Sequence, residues 1–139
     1  MQVLLQDTQP GVVIRVAKWI EENKKVVIIT KPTVYVAIAV LDQIVDRLEE
    51  EGSWRSLLER IFESYMELDK DSAEKRSVFM SAALHPVGHL LSREMVAKVN
   101  HVGESCKEDL MRVLASRVDL LSSDKFGGIV LKGLIGSLS

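Results

Sequence analysis

His85 and His89 stand four residues apart, a spacing that can put two imidazoles on one helical face and hold a divalent metal. Pro86 works against that pairing, because it leaves His85 at the helix N-cap and off the face. The intervening Pro86, Val87 and Gly88 also supply no glutamate of the kind a HExxH hydrolase uses as its base. His101 and Cys106 lie further along and could join such a site only through tertiary folding. Cys106 falls in the first turn of a predicted helix beside Lys107, where the helix dipole and an ammonium could lower a thiol's pKa. No base accompanies it in sequence. Asp42 and Asp46 share the polar face of one helix, and Glu49-Glu50-Glu51 follow them, but no second cluster pairs with either. Read as capping or core histidines, a small residue at a helix start and solvated carboxylates, these groups predict no enzyme, no metal site and no cofactor.

Four glycines fall within ten residues near the end of the chain: Gly127, Gly128, Gly133 and Gly136. An internal glycine costs a helix about 1 kcal/mol relative to alanine. Neither GxxxxGK[ST] nor GxGxxG is present, so no phosphate-binding loop is encoded. The spacing predicts either a close helix crossing or a docking and self-association surface built on Gly128, Gly133, Leu134 and Gly136. Trp19 and Trp54 sit at the edges of the apolar faces of their helices and complete the candidate interface.

The elements that must position these residues are helical. Seven stretches carry apolar residues at the i, i+3, i+4, i+7 spacing. The first opens at Thr8-Gln9-Pro10 and places Val13, Val16, Ala17 and Ile20 on one side. The second opens at Thr30-Lys31-Pro32; its Val34 to Leu41 segment is apolar all round, which predicts burial at the centre of the domain. Ser53 is expected to cap the third, with Leu57, Leu58, Ile61, Phe62 and Tyr65 inward. Capping boxes at Asp71/Glu74 and Ser105/Glu108 predict the fourth and sixth, Pro86 opens the fifth, and Ser123 is expected to cap the seventh. The sixth carries Leu110, Val113, Leu114, Val118 and Leu121. Val26-Val27-Ile28-Ile29 is four β-branched residues in a row and reads as a short strand or a helical connection.

A length of 139 residues with 47% apolar side chains is enough for one packed domain, expected to be α-helical over 1–139. Net charge is -2, which excludes a generic polyanion binder. The charge is uneven, however: residues 1–69 carry -4 and residues 70–139 carry +2. A single cysteine allows no internal disulfide, and an intracellular, cytoplasmic, reducing setting is expected. The opening Met1 to Asp7 lacks the basic start and apolar length of a secretory signal. The apolar tract Val26–Leu41 is broken by Lys31 and Pro32, short of the about 20 residues a spanning helix needs, so no membrane span is expected.

Two segments look alike: Leu84-His85-Pro86-Val87-Gly88-His89-Leu90-Leu91 and Ser123-Asp124-Lys125-Phe126-Gly127-Gly128-Ile129-Val130-Leu131. Each follows one helix and opens another, as HPxG and DxxG. Residues 73–136 thereby resemble about two units of Pumilio-type RNA-binding repeats. The resemblance implies a helical-repeat fold and places its base-reading positions on His89, Leu90 and Arg93, then on Gly128, Ile129 and Lys132. In that family the middle position stacks between bases, and Leu90 and Ile129 are not planar. Lys25 to Gln43 is also similar to the opening strand and helix of Alba-type nucleic-acid-binding proteins, whose remainder is strand-rich and basic, as this chain is not.

The sequence thus predicts a mostly α fold, a compact bundle or short helical-repeat array of six to seven helices. The alternative is an α/β fold with a βαβ start over residues 2–48, its strands at Gln2–Leu5 and Val26–Ile29. The expected function is a non-catalytic interaction or assembly module, an adaptor binding a protein partner or itself as a homo-oligomer. The alternative is RNA binding through Arg93, Lys98, Arg112, Arg117, Lys125 and Lys132.

Overall fold

The structure, a computed structural model, describes residues 10–68 and 76–138. In chain order its helices are α1 (Pro10–Glu22), the single turn α2 (Lys24–Val27), α3 (Lys31–Asp46), α4 (Gly52–Met66), α5 (Val78–Ala83) and α6 (His89–Ala97). A 3-10 turn (Val99–His101) then leads to α7 (Glu104–Ser116), α8 (Val118–Ser123) and α9 (Lys125–Leu138). Among the described residues there is no strand; one isolated antiparallel bridge joins Leu68 to Ser77.

Apolar spacing decides which face of each helix turns inward. Val13, Ala17 and Ile20 bury one side of α1, and Leu57, Leu58, Ile61, Phe62 and Tyr65 bury one side of α4. Helix α3 buries Val34, Ala37, Ala39, Val40, Leu41 and Ile44 and packs on α1, α4 and α6, so the all-round apolar segment is central, as its composition requires. Removing a side chain of this size from water is worth about 1.5–3 kcal/mol. Polar stitches then fix α4 against α1 and α2. The buried Tyr65 hydroxyl donates to the Ile20 carbonyl at 3.0 Å, Lys24 Nζ donates to the Ser64 carbonyl at 2.8 Å, and Arg60 pairs with Glu21 at 2.9 Å. Burial, and secondarily Glu21, push the Tyr65 phenol above its ordinary pKa, so it stays a donor.

Several local expectations are corrected. Val26–Ile29 is no strand: Lys24–Val27 form a helical turn, Val27 and Ile28 are buried side by side, and Val26 and Ile29 face outward. Adjacent burial is not the alternation a strand imposes, and the βαβ alternative fails there; Gln2–Leu5 lies outside the described residues. The expected sixth helix breaks at Arg117 (φ -128°, ψ 25°), dividing it into α7 and α8 and leaving Val118 exposed. The Asp71/Glu74 capping box lies outside the described residues, and α5 is capped instead by Ser77, whose Oγ accepts from Met80 N. Ser53, Ser105 and Ser123 do not cap. Ser53 lies inside α4 and donates to Glu51 at 2.8 Å, Ser105 lies inside α7, and Ser123 donates to the Leu120 carbonyl.

The HPxG and DxxG segments adopt matching turns. His85 Nδ1 accepts from the backbone N–H of Val87 and Gly88 at 3.0 and 3.1 Å; Asp124 Oδ1 accepts from Phe126 and Gly127, both at 2.9 Å. In each, the glycine three positions on lies against the backbone of the residue six before it. A Cβ on Gly88 would sit 2.7 Å from the Ile28 carbonyl and 3.0 Å from Ala82 Cα; one on Gly127 would sit 2.7 Å from the Leu121 carbonyl. The two turns launch α6 and α9, which pack on each other more extensively than any other pair of helices given for the described residues.

This geometry separates the glycines. Gly88→Ala and Gly127→Ala should each destabilise by about 1–3 kcal/mol, because a methyl meets backbone that cannot rotate away. Gly128→Ala, whose Cβ meets nothing within 4 Å, should stabilise by about 0.5–1 kcal/mol. Thermal unfolding of the three variants checks the order, and equal effects at Gly127 and Gly128 would contradict it.

Candidate functional site

The first two turns of α1 and of α4 run past each other and leave a groove of about 410 Å³. Pro10 and Ile14 form one wall; Trp54 and Leu57 form the floor and the other wall; Glu50 and Glu51, from the connection before α4, stand at the rim with Arg60. Trp54 is held by core packing and by the Arg47 guanidinium, 5.6 Å from its ring centre. Arg60 is engaged by Glu21, which leaves the rim acidic. The groove is therefore apolar inside and negative at its mouth. It can hold one aliphatic side chain and attract a cation beside it. Sequence reading flags Trp54 but misses Ile14 and Leu57. A signal exists in Ile14, which lies beside the Val13, Ala17 and Ile20 stripe and is 49% exposed.

The histidines are structural. His85 Nδ1 already accepts two backbone N–H groups, leaving no lone pair there for a metal. His89 is buried, its Nδ1 donates to the His85 carbonyl at 3.1 Å, and its ring stacks on Phe126 with centroids 4.8 Å apart and planes 29° apart. Among the described residues no three His, Cys, Asp or Glu side chains gather as a metal would require.

The helix dipole and Lys107 do not lower the Cys106 pKa. Burial pushes the thiol up to about 12, and Glu59, Glu63 and Asp109 add to the shift. Glu59 reaches from α4 to accept the Gly103 N–H, so a carboxylate, placed to cap α7, cancels the dipole's help. Lys107, the cation expected to assist, turns to Asn100 Oδ1 at 3.3 Å.

The remaining candidates scatter. Trp19 is exposed on α1, away from the groove lining. Leu134 is buried, with Val130, in the core, so it is packing and not surface. A Cβ on Gly133 would come within 3.2 Å of Arg93 Cγ, which places Gly133 at the α6–α9 crossing; Cβ atoms on Gly128 and Gly136 would meet nothing within 4 Å. Of the six cations, Lys98 is buried between Asp42 at 2.8 Å and Glu94 at 3.3 Å, and Arg112 pairs with Asp109 at 3.0 Å. Arg93, Arg117, Lys125 and Lys132 are exposed, and Lys125 lies 5.8 Å over the Phe126 ring. Leu90 and Ile129 are half-buried. No helix among the described residues is long and apolar enough to cross a membrane.

At neutral pH the Cys106 thiol stays protonated. Its raised pKa contributes stability that is fully present below the ordinary value of 9.0 and is lost as pH rises toward about 12. Labelling by an aromatic disulfide should follow the rate of unfolding, and fast stoichiometric reaction of the native protein at pH 7 would contradict the assignment. Compared with protein-family models, curated proteins and solved structures, the chain shows no match.

Proposed function

We propose that this chain is a non-catalytic protein-interaction module whose α1–α4 groove takes an aliphatic side chain from a basic, amphipathic helix. The observation that carries the reading is the pairing of an apolar floor, Trp54 and Leu57, with the Glu50 and Glu51 rim. Apolar pockets lined by an aromatic anchor and ringed by one sign of charge suit helix-in-groove recognition: the buried contact supplies affinity, and the rim selects the partner's charge. Catalysis has no support in His85, His89 or Cys106, since each is engaged in a cap, a ring stack or a buried thiol. The RNA reading keeps the paired turns at His85 and Asp124 in its favour but has Lys98 and Arg112 already committed to carboxylates.

Titration calorimetry with a helical peptide bearing isoleucine on one face and flanking lysines should show saturable binding. The same peptide with glutamates in place of the lysines should not bind, and Ile14→Glu, at an exposed site, should abolish binding without unfolding the protein. Equal binding of both peptides, or binding of a short RNA in preference to either, would overturn the reading.

A further inference from the structure

We infer that the helix the groove receives is α9 of a second copy, so that the protein associates head to tail. The inference rests on the groove reading and adds the identity of its occupant. The first support is the uncovered face of α9. Aligning the two cap turns, His85 on Asp124, sets His89 against Gly128, Arg93 against Lys132 and Val96 against Ile135. On α6, the face bearing these positions is partly covered: His89 lies under Phe126 and Val96 is fully buried, while Arg93, though exposed, lies against Gly133. On α9 the corresponding face is open, and Ile135 is 68% exposed. The α6–α9 packing therefore stops one layer short, and its continuation needs another helical surface.

Charge selects which surface. Helix α9 contains Lys125 and Lys132 and no carboxylate, and both lysines share the outer face with Gly128 and Ile135 at intervals of three or four residues. The groove rim carries Glu50 and Glu51. Ile135 is an aliphatic side chain of the kind the groove holds, Lys132 lies one turn away to meet the rim, and Gly128 lets the backbone approach closely. An α9-to-α9 pairing would instead bring like-charged lysine faces together. The overall charge runs the same way, -4 in the half that contains the groove and +2 in the half that contains α9. Two different surfaces make a heterologous contact, which propagates into open chains rather than closing at a dimer. Helix α9 has 14 residues, about 21 Å in length, and one face of it covers far less than the ~800 Å² per partner of a standard stable interface. Association is accordingly weak and concentration-dependent.

Sedimentation of the full chain should show a weight-average mass that climbs above 15.5 kDa with concentration, without a plateau at the dimer, and that falls back as salt is added. Ile14→Glu, which spoils the groove, and Ile135→Glu, which spoils the outer face of α9, should each be monomeric alone. Mixed in equal amounts they should form one species of twice the single-chain mass, because one sound groove and one sound α9 remain. A monomer at every soluble concentration, a plateau at the dimer, or a mixture that stays monomeric would overturn the inference. Monomeric behaviour together with saturable binding of the lysine-flanked peptide would sink this inference alone and leave the proposed function standing.

Discussion

The close approach of the Gly88 backbone to Ala82 and to the Ile28 carbonyl ties three parts of the chain together. It seats the turn before α6 on the helix that precedes it, and it anchors that pair to the end of α2. Helix α6 is thereby held where α3 can pack on one side and α9 on another. The same approach at Gly127 seats α9 over Leu121. Without both contacts the α6–α9 layer has no fixed angle, and neither the His89–Phe126 stack nor the Gly133 crossing can form. The groove lies in the other layer, between α1 and α4, and depends on this one through α3, which is shared by both.

How much of this was legible beforehand follows from how local each signal is. The buried faces of α1, α3 and α4 were readable because a stripe such as Val13, Ala17 and Ile20 depends only on spacing within one helix. The break at Arg117 was not readable, since Leu114, Val118 and Leu121 keep helical spacing straight through it; the break follows from where α8 must lie to receive Gly127. Val26–Ile29 misled for a related reason. β-branched residues favour strands only where another strand can pair with them, and none is available beside this segment among the described residues. Serine caps failed where a better acceptor stood nearby: Asp124 displaced Ser123, and Glu59, forty-four residues before the Gly103 whose N–H it accepts, displaced Ser105. The raised pKa of the Cys106 thiol was not legible either, because its main cause is burial and two of the three carboxylates that add to it come from α4. The groove was half legible, Trp54 by its type and Ile14 only by the meeting of α1 with α4.

That His85 and Asp124 serve as caps of helix starts has a physical source in the architecture. Nine α-helices among the described residues mean many helix starts, and each start presents up to four backbone N–H groups with no partner in the helix. Acceptors must come from side chains. His85, Asp124, Ser77 and Glu59, the acceptor-bearing residues best placed to do chemistry, each accept from one or two of these groups. An acceptor whose lone pairs point at backbone N–H groups is a poor base and a poor ligand. At these four starts the short helices draw on side-chain acceptors as caps. What they leave to the surface is shape and charge, an apolar groove with an acidic mouth on one layer and a carboxylate-free helix on the other.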